Sequence, residues 1–129
     1  MQSKLIYLGR LTVEASGIAT GAKQDLSGGD ALTGLSGWVL ARVTVDTRTV
    51  GTMTSTATMQ LRTNNNVAVT ATLAPTTNPQ TDATVATKHE QMADADVAGP
   101  FNVVVAGAAA SVDSGEWDIW GEFLPRRAA

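Results

Sequence analysis

Cysteine is missing from this chain, histidine occurs once, and aromatic residues make up 5% of its 129 positions. Without cysteine there are no disulfides and no thiolate metal ligands, and the redox compartment leaves no trace in the sequence. One histidine, His89, offers little for general acid–base work, in which histidine is the commonest participant. Charged residues amount to 16%, well below the ~25% of ordinary soluble domains. The net charge of -3 comes with no basic block, which removes the electrostatic footprint expected for nucleic-acid binding. No apolar run approaches the ~20 residues of a membrane-spanning helix. The opening MQSKLIYLGR is interrupted by Tyr7, Gly9 and Arg10, so it lacks the apolar core of about 7–15 residues that marks a secretory signal. These absences predict a protein made in a cytoplasm, with neither nucleic acid nor membrane as a partner.

What fills the chain is Thr, Ala, Gly and Val, and the dominant pattern is alternation with period two, the signature of half-buried strands. In Lys4–Glu14, Leu5, Tyr7, Leu11 and Val13 fall on one face and Ile6, Leu8, Arg10, Thr12 and Glu14 on the other. Both faces are apolar near the start, which suits a strand lying between its own domain and something else. Thr20–Asp30 reads as a loop with Asp and Gly turn chemistry. In Gly37–Val50, alternation sets Val39, Ala41, Val43 and Val45 against Trp38, Leu40, Arg42, Thr44 and Asp46. Between Gly51 and Arg62 an apolar stripe (Met53, Ala57, Met59, Leu61) backs a polar one of Thr54, Thr56, Thr58, Gln60 and Arg62. Thr63–Asn66 tolerates left-handed backbone, and VAVTATL resumes the alternation, so the pair reads as a hairpin. Ala74 to about Thr87 holds two prolines and no periodic apolar face. We expect a long irregular loop near residues 74–99, with at most a helical turn around His89–Ala95. Strands return at Phe101–Val112 and Trp117–Leu124; in the latter, Trp117, Ile119, Gly121 and Phe123 oppose Asp118, Trp120, Glu122 and Leu124. Six or more strands without an amphipathic helix predict an all-β fold: a single antiparallel β-sandwich over residues 1–129, jelly-roll-like, with a short N-terminal arm and a C-terminal tail.

The search for chemistry is short. No G-x-S-x-G turn presents a serine nucleophile, and His89 sits in a polar segment between Lys88 and Glu90. The SGGD stretch at Ser27–Asp30 lacks the Gly-Lys-Ser/Thr ending of a phosphate-binding loop and reads as a β-turn. Asp82, Asp94, Asp96 and the DSGE turn at Asp113–Glu116 are acids in loops. Calcium wants about 6–8 oxygens, but the EF-hand pattern is missing, so these read as turn formers and solubilising charges. Trp38, Trp117 and Trp120 would suit a sugar-stacking platform, but a strand tryptophan carries enough area to favour core or interface. Trp117 and Trp120 alternate to opposite faces, so one of them covers something outside its own core layer. Arg126 and Arg127 lie in a short tail, PRRAA, which is either solvated or in contact with an acidic surface. No catalytic residue, metal or cofactor is expected.

In size and texture the whole chain resembles the small capsid decoration, or cement, proteins of tailed bacteriophages. The likeness is carried by the bare methionine start, loops of the LTVEASGIATGAKQ kind and a Thr/Ala/Gly-rich β-sandwich. The resemblance implies a structural, non-enzymatic virion protein on the capsid exterior that binds the major capsid protein lattice and self-associates, with a trimer expected from the threefold sites such proteins occupy. Hydroxyl-faced strands would then give a flat, adaptable surface for protein contact. Leu5, Ile6, Leu8, Trp120, Leu124, Arg126 and Arg127 are the candidate assembly contacts, with the 74–99 loop beside them. A carbohydrate-binding module using a tryptophan face, or another virion part such as a tail, neck or head-fibre component, are the alternatives.

Overall fold

The computed structural model describes residues 3–13, 18–19, 21–49, 58–69, 80–84, 91–106 and 111–125. Among the described residues nine strands follow one another: β1 (Lys4–Val13), β2 (Ile18–Ala19), β3 (Lys23–Asp25), β4 (Val39–Thr49), β5 (Thr58–Arg62), β6 (Gln80–Thr84), β7 (Asn102–Ala106), β8 (Ser111–Val112) and β9 (Gly115–Leu124). A 3-10 turn at Thr33–Leu35 leads into β4. The strands form a four-stranded sheet in the order β1-β9-β4-β6, a three-stranded sheet β3-β7-β5 and a two-stranded ribbon β2-β8. All pairings are antiparallel. The expected all-β sandwich is what the chain builds.

The two main sheets share one core. Leu8, Leu11, Leu40, Val43, Val45, Trp117, Ile119 and Phe123 come from the four-stranded sheet, and Met59, Leu61, Val103 and Val105 from the three-stranded one. Each such side chain removed from water contributes roughly 1.5–3 kcal/mol. Trp117, Phe101 and Phe123 are the bulkiest of the fully buried groups. The alternation in β9 is as the sequence indicates, with Trp117, Ile119, Gly121 and Phe123 inward and Trp120, Glu122 and Leu124 outward. Gly121 leaves room for its neighbours, since a Cβ there would lie 2.9 Å from the Phe123 ring and 3.2 Å from Leu8.

Two β-bulges correct the reading of β1 and β4. The β1–β9 register jumps between Tyr7 and Gly9, and the β4–β9 register between Leu40 and Arg42. An extra residue reverses which side chains face inward beyond it. In β1, Ile6 and Leu8 point to the core before the bulge, and Leu11 and Val13 after it; Leu5, Tyr7, Arg10 and Thr12 share the outer face. Gly9 allows this with φ +130, and a Cβ on it would lie 2.8 Å from Leu26 Cβ. In β4, Leu40 is buried together with Val43 and Val45, against the simple two-residue period that grouped it with Arg42.

The third correction concerns the expected loop at 74–99. It contains β6, whose Gln80–Asp46 to Thr84–Arg42 register makes it the far edge of the four-stranded sheet. QTDAT gives little apolar alternation because the positions paired with Val45 and Val43 are Thr81 and Ala83, too small and polar a pair to stand out in the sequence. Further along, Gln91 bridges Val39, and a turn at Asp94–Val97 precedes Pro100. The Thr63–Asn66 turn is present, with Asn66 at φ 62 and bonds from Thr63 N to Val67 O and from Val69 N to Leu61 O. Met53, Thr54, Thr56, Ala57 and His89 lie outside the described residues.

Candidate contact surface

The outer face of the four-stranded sheet brings together side chains that are far apart in sequence. Its central row is Tyr7 on β1, Trp120 on β9 and Thr44 on β4, in direct register. The Tyr7 and Trp120 rings meet with centroids 4.9 Å apart and planes inclined by 48°, an arrangement worth about 0.5–1.5 kcal/mol beyond area burial. The neighbouring row is Arg10, Asp118 and Asp46. Arg10 donates to Asp118 through Nε (2.9 Å) and Nη2 (3.1 Å), the two-pronged geometry that makes guanidinium–carboxylate pairs strong. The Tyr7 hydroxyl also donates to Asp118, and Arg48 Nε stands 3.6 Å from its other oxygen. These partners offset the repulsion that Asp118 and Asp46 would otherwise feel across the strands.

Asp118 is only 8% exposed although it lies on an outer face. The Arg10 fork, followed by the Tyr7 hydroxyl and the Arg48 charge, outweighs burial and holds its carboxyl below the usual range. Burial and the Asp118 carboxylate push the Tyr7 phenol up, and the hydrogen bond to Asp118 raises the Arg10 guanidinium further. Arg10 Nη1 also lies 3.6 Å from Glu116, which accepts from the Thr12 hydroxyl at 3.4 Å. The result is a rigid mixed-charge patch around an aromatic centre. Its groups serve one another as hydrogen-bonding and stacking partners.

β1 is also a sheet edge, and its outward-facing backbone is covered at Tyr7, Arg10 and Thr12. Asp30 N donates to Tyr7 O (2.8 Å), and Tyr7 N donates to the Asp30 carboxylate (3.2 Å). Arg10 and Ser27 exchange both backbone bonds, at 2.7 and 3.1 Å. Gln24 Nε2 donates to Thr12 O at 3.2 Å. The SGGD turn is therefore a strap along the edge. It approaches closely because Gly29 has no side chain: a Cβ there would lie 2.4 Å from Leu8 O. Between this strap and the turn before Phe101 lies an open groove of about 390 Å³, with Leu26, Leu32 and Val97 in its lining and Asp30 as its one ionisable residue.

The candidate contacts divide accordingly. Leu5 is 63% exposed, Ile6 and Leu124 are half-buried, and Trp120 is half-buried on the outer face. Leu8 is 1% exposed; the bulge turns it into the core, so it is not a surface contact. Arg126 and Arg127 lie outside the described residues. Trp117 is buried, and Trp38 packs against the core with Lys4 Nζ 4.6 Å from its ring centroid. Asp96 is used internally, accepting from Thr63 Oγ1 and Ala93 N at 2.9 Å each, and Asp94 accepts from the Ser36 hydroxyl. Sequence reasoning missed Tyr7, Arg10 and Asp118 as a unit, because the signal exists only once β1 and β9 are paired. Compared with known proteins, the chain matches no family model and no curated sequence.

Proposed function

We propose that this chain is a structural virion protein that binds the outside of an assembled phage capsid lattice and stabilises it, without enzymatic activity. The observation that carries the reading is the outer sheet face. Tyr, Trp and Arg, the residue types that dominate binding energy at protein contacts, are held there on the paired strands β1 and β9 and braced by Asp118. Aromatic centre and charged rim match the anatomy of a protein interface. The strand order adds support for the finer fold reading. Leaving aside the short β2 and β8, the orders β1-β9-β4-β6 and β3-β7-β5, with Ala68 bridged to Arg62 beside β5, are compatible with a jelly roll, an architecture used in viral capsids and lectins.

A protein that binds the lattice and not its dissociated subunits stabilises the assembled state by mass action. At a free concentration about 1,000 times the dissociation constant this amounts to about 4 kcal/mol per site. Repeated over a shell, modest contacts suffice. Self-association, as a trimer, would multiply the contacts made at one position.

Carbohydrate binding is the second reading, favoured by the same tilted Tyr7–Trp120 pair beside ionised side chains. One experiment separates the two. Purified protein is sedimented with empty phage capsids, beside a Trp120→Ala variant, and tryptophan fluorescence is titrated with glycans. Saturable pelleting that the variant weakens supports the lattice reading. A glycan-dependent quench without pelleting transfers the face to carbohydrate.

A further inference from the structure

The open end of β1 offers a more specific contact. In an antiparallel pair, alternate residues turn both backbone groups toward the partner strand and both away from it. Tyr7 turns both outward, onto Asp30. Leu5 lies two residues earlier with no bulge between, so its N–H and C=O also point away from β9. Tyr7, Arg10 and Thr12 each have a cover on this edge, as described above. Among the described residues, no group covers Leu5. Its side chain is moreover a large exposed apolar group, one of two among the described residues, the other being Val67. An open edge with an exposed apolar residue is a template for strand pairing, which proteins ordinarily blunt.

We propose that Ser3–Ile6 is a docking edge onto which an extended segment of the capsid lattice protein adds as a fifth strand of the β1-β9-β4-β6 sheet. This rests on the lattice reading above and names the partner's form. The occupant has to supply a backbone acceptor, a backbone donor and an apolar side chain over Leu5, which is what an extended polypeptide offers. A second copy of this chain fits poorly. Antiparallel pairing of Leu5 with its own copy sets the copy's Ser3 opposite Tyr7, where Asp30 already sits. The next register, Leu5 with Ser3, brings the two Lys4 residues face to face, which is unfavourable.

The test uses the outward direction of the Leu5 N–H. Leu5→Pro deletes that donor while Lys4 and Ile6 keep their pairing with Phe123 and Gly121, and proline is tolerated on a sheet edge. Leu5→Ala keeps the donor and removes the apolar cover. With empty phage capsids as the probe, co-sedimentation should weaken about tenfold or more for Leu5→Pro and less for Leu5→Ala. Hydrogen exchange on the wild-type protein, read over residues 1–8, should slow at Leu5 by about tenfold or more when capsids are bound. If Leu5→Pro binds like wild type, or the Leu5 amide exchanges equally fast free and bound, the docking edge is wrong and the lattice reading stands. If wild-type protein stays in the supernatant, both fall together.

Discussion

The strap over β1 gives a prediction whose size follows from its distance to the strand. A methyl group at Gly29 would sit 2.4 Å from Leu8 O, 2.7 Å from Leu8 C and 3.1 Å from Gly9 N. All three are backbone atoms at a bulge, and Leu8 is anchored in the core at 1% exposure, so β1 cannot yield. In Gly29→Ala the strap has to retreat by about 1 Å to reach ordinary contact. The Asp30 N–Tyr7 O bond, 2.8 Å long, and the Tyr7 N–Asp30 bond at 3.2 Å then lie at or beyond hydrogen-bonding range. Two such bonds contribute about 1–3 kcal/mol together. Two controls separate contact from backbone strain. Gly28→Ala meets no atom within 4 Å but keeps φ +72, which costs roughly 1–2 kcal/mol. Gly34→Ala meets nothing and has no positive φ, so it should be neutral or gain up to about 1 kcal/mol. Urea unfolding measures all three. Gly29→Ala should also raise concentration-dependent aggregation, because it uncovers the edge at Tyr7. A Gly29→Ala protein within about 0.5 kcal/mol of wild type would refute the strap as a structural device.

Four further outcomes test the face and the core. Because Asp118 titrates below the usual carboxylate range, its stabilisation is fully present above the unfolded value near pH 4 and lost as pH falls through the folded value; the urea midpoint should drop below about pH 4 in wild type and drop less in Asp118→Asn. Trp117→Ala, in the centre of the core, should cost about 3–5 kcal/mol, measured by thermal unfolding. Trp120→Ala should cost far less stability, since Trp120 is only half-buried, and should lower capsid pelleting instead. Leu8→Ala should behave as a core truncation at about 2–5 kcal/mol, with capsid binding per folded molecule unchanged.

Where alternation ran unbroken, the architecture was legible from residue order alone: β9 shows it, with Trp117, Ile119 and Phe123 inward as their spacing requires. Bulges defeated the same rule in β1 and β4. A glycine at position 9 is compatible with a bulge but does not announce one, so Leu8 was assigned to the surface and Leu40 to the polar side. β6 was hidden for another reason. Gln80–Thr84 borrows its structure from β4 through backbone pairing, and its composition carries no periodic signal. The candidate surface was legible only in part. Trp120 is marked by alternating with Trp117 to the opposite face, and Leu5 by lying in a first strand that is apolar on both faces. The Tyr7–Arg10–Asp118 knot joins residues more than 100 positions apart, the Arg10–Asp118 separation being 108, and depends on the register of β1 against β9. The strap at Ser27–Asp30 looked like a turn because its two glycines serve turns and close approaches equally well.

The central claim is that the protein recognises an assembled lattice. The most direct measurement is quantitative co-sedimentation with empty phage capsids, in parallel with binding to the same capsid protein dissociated into subunits. Saturable binding at a fixed number of copies per shell, with little affinity for free subunits, is the predicted result. Equal affinity for shells and subunits, or no saturable binding to shells at all, would contradict it.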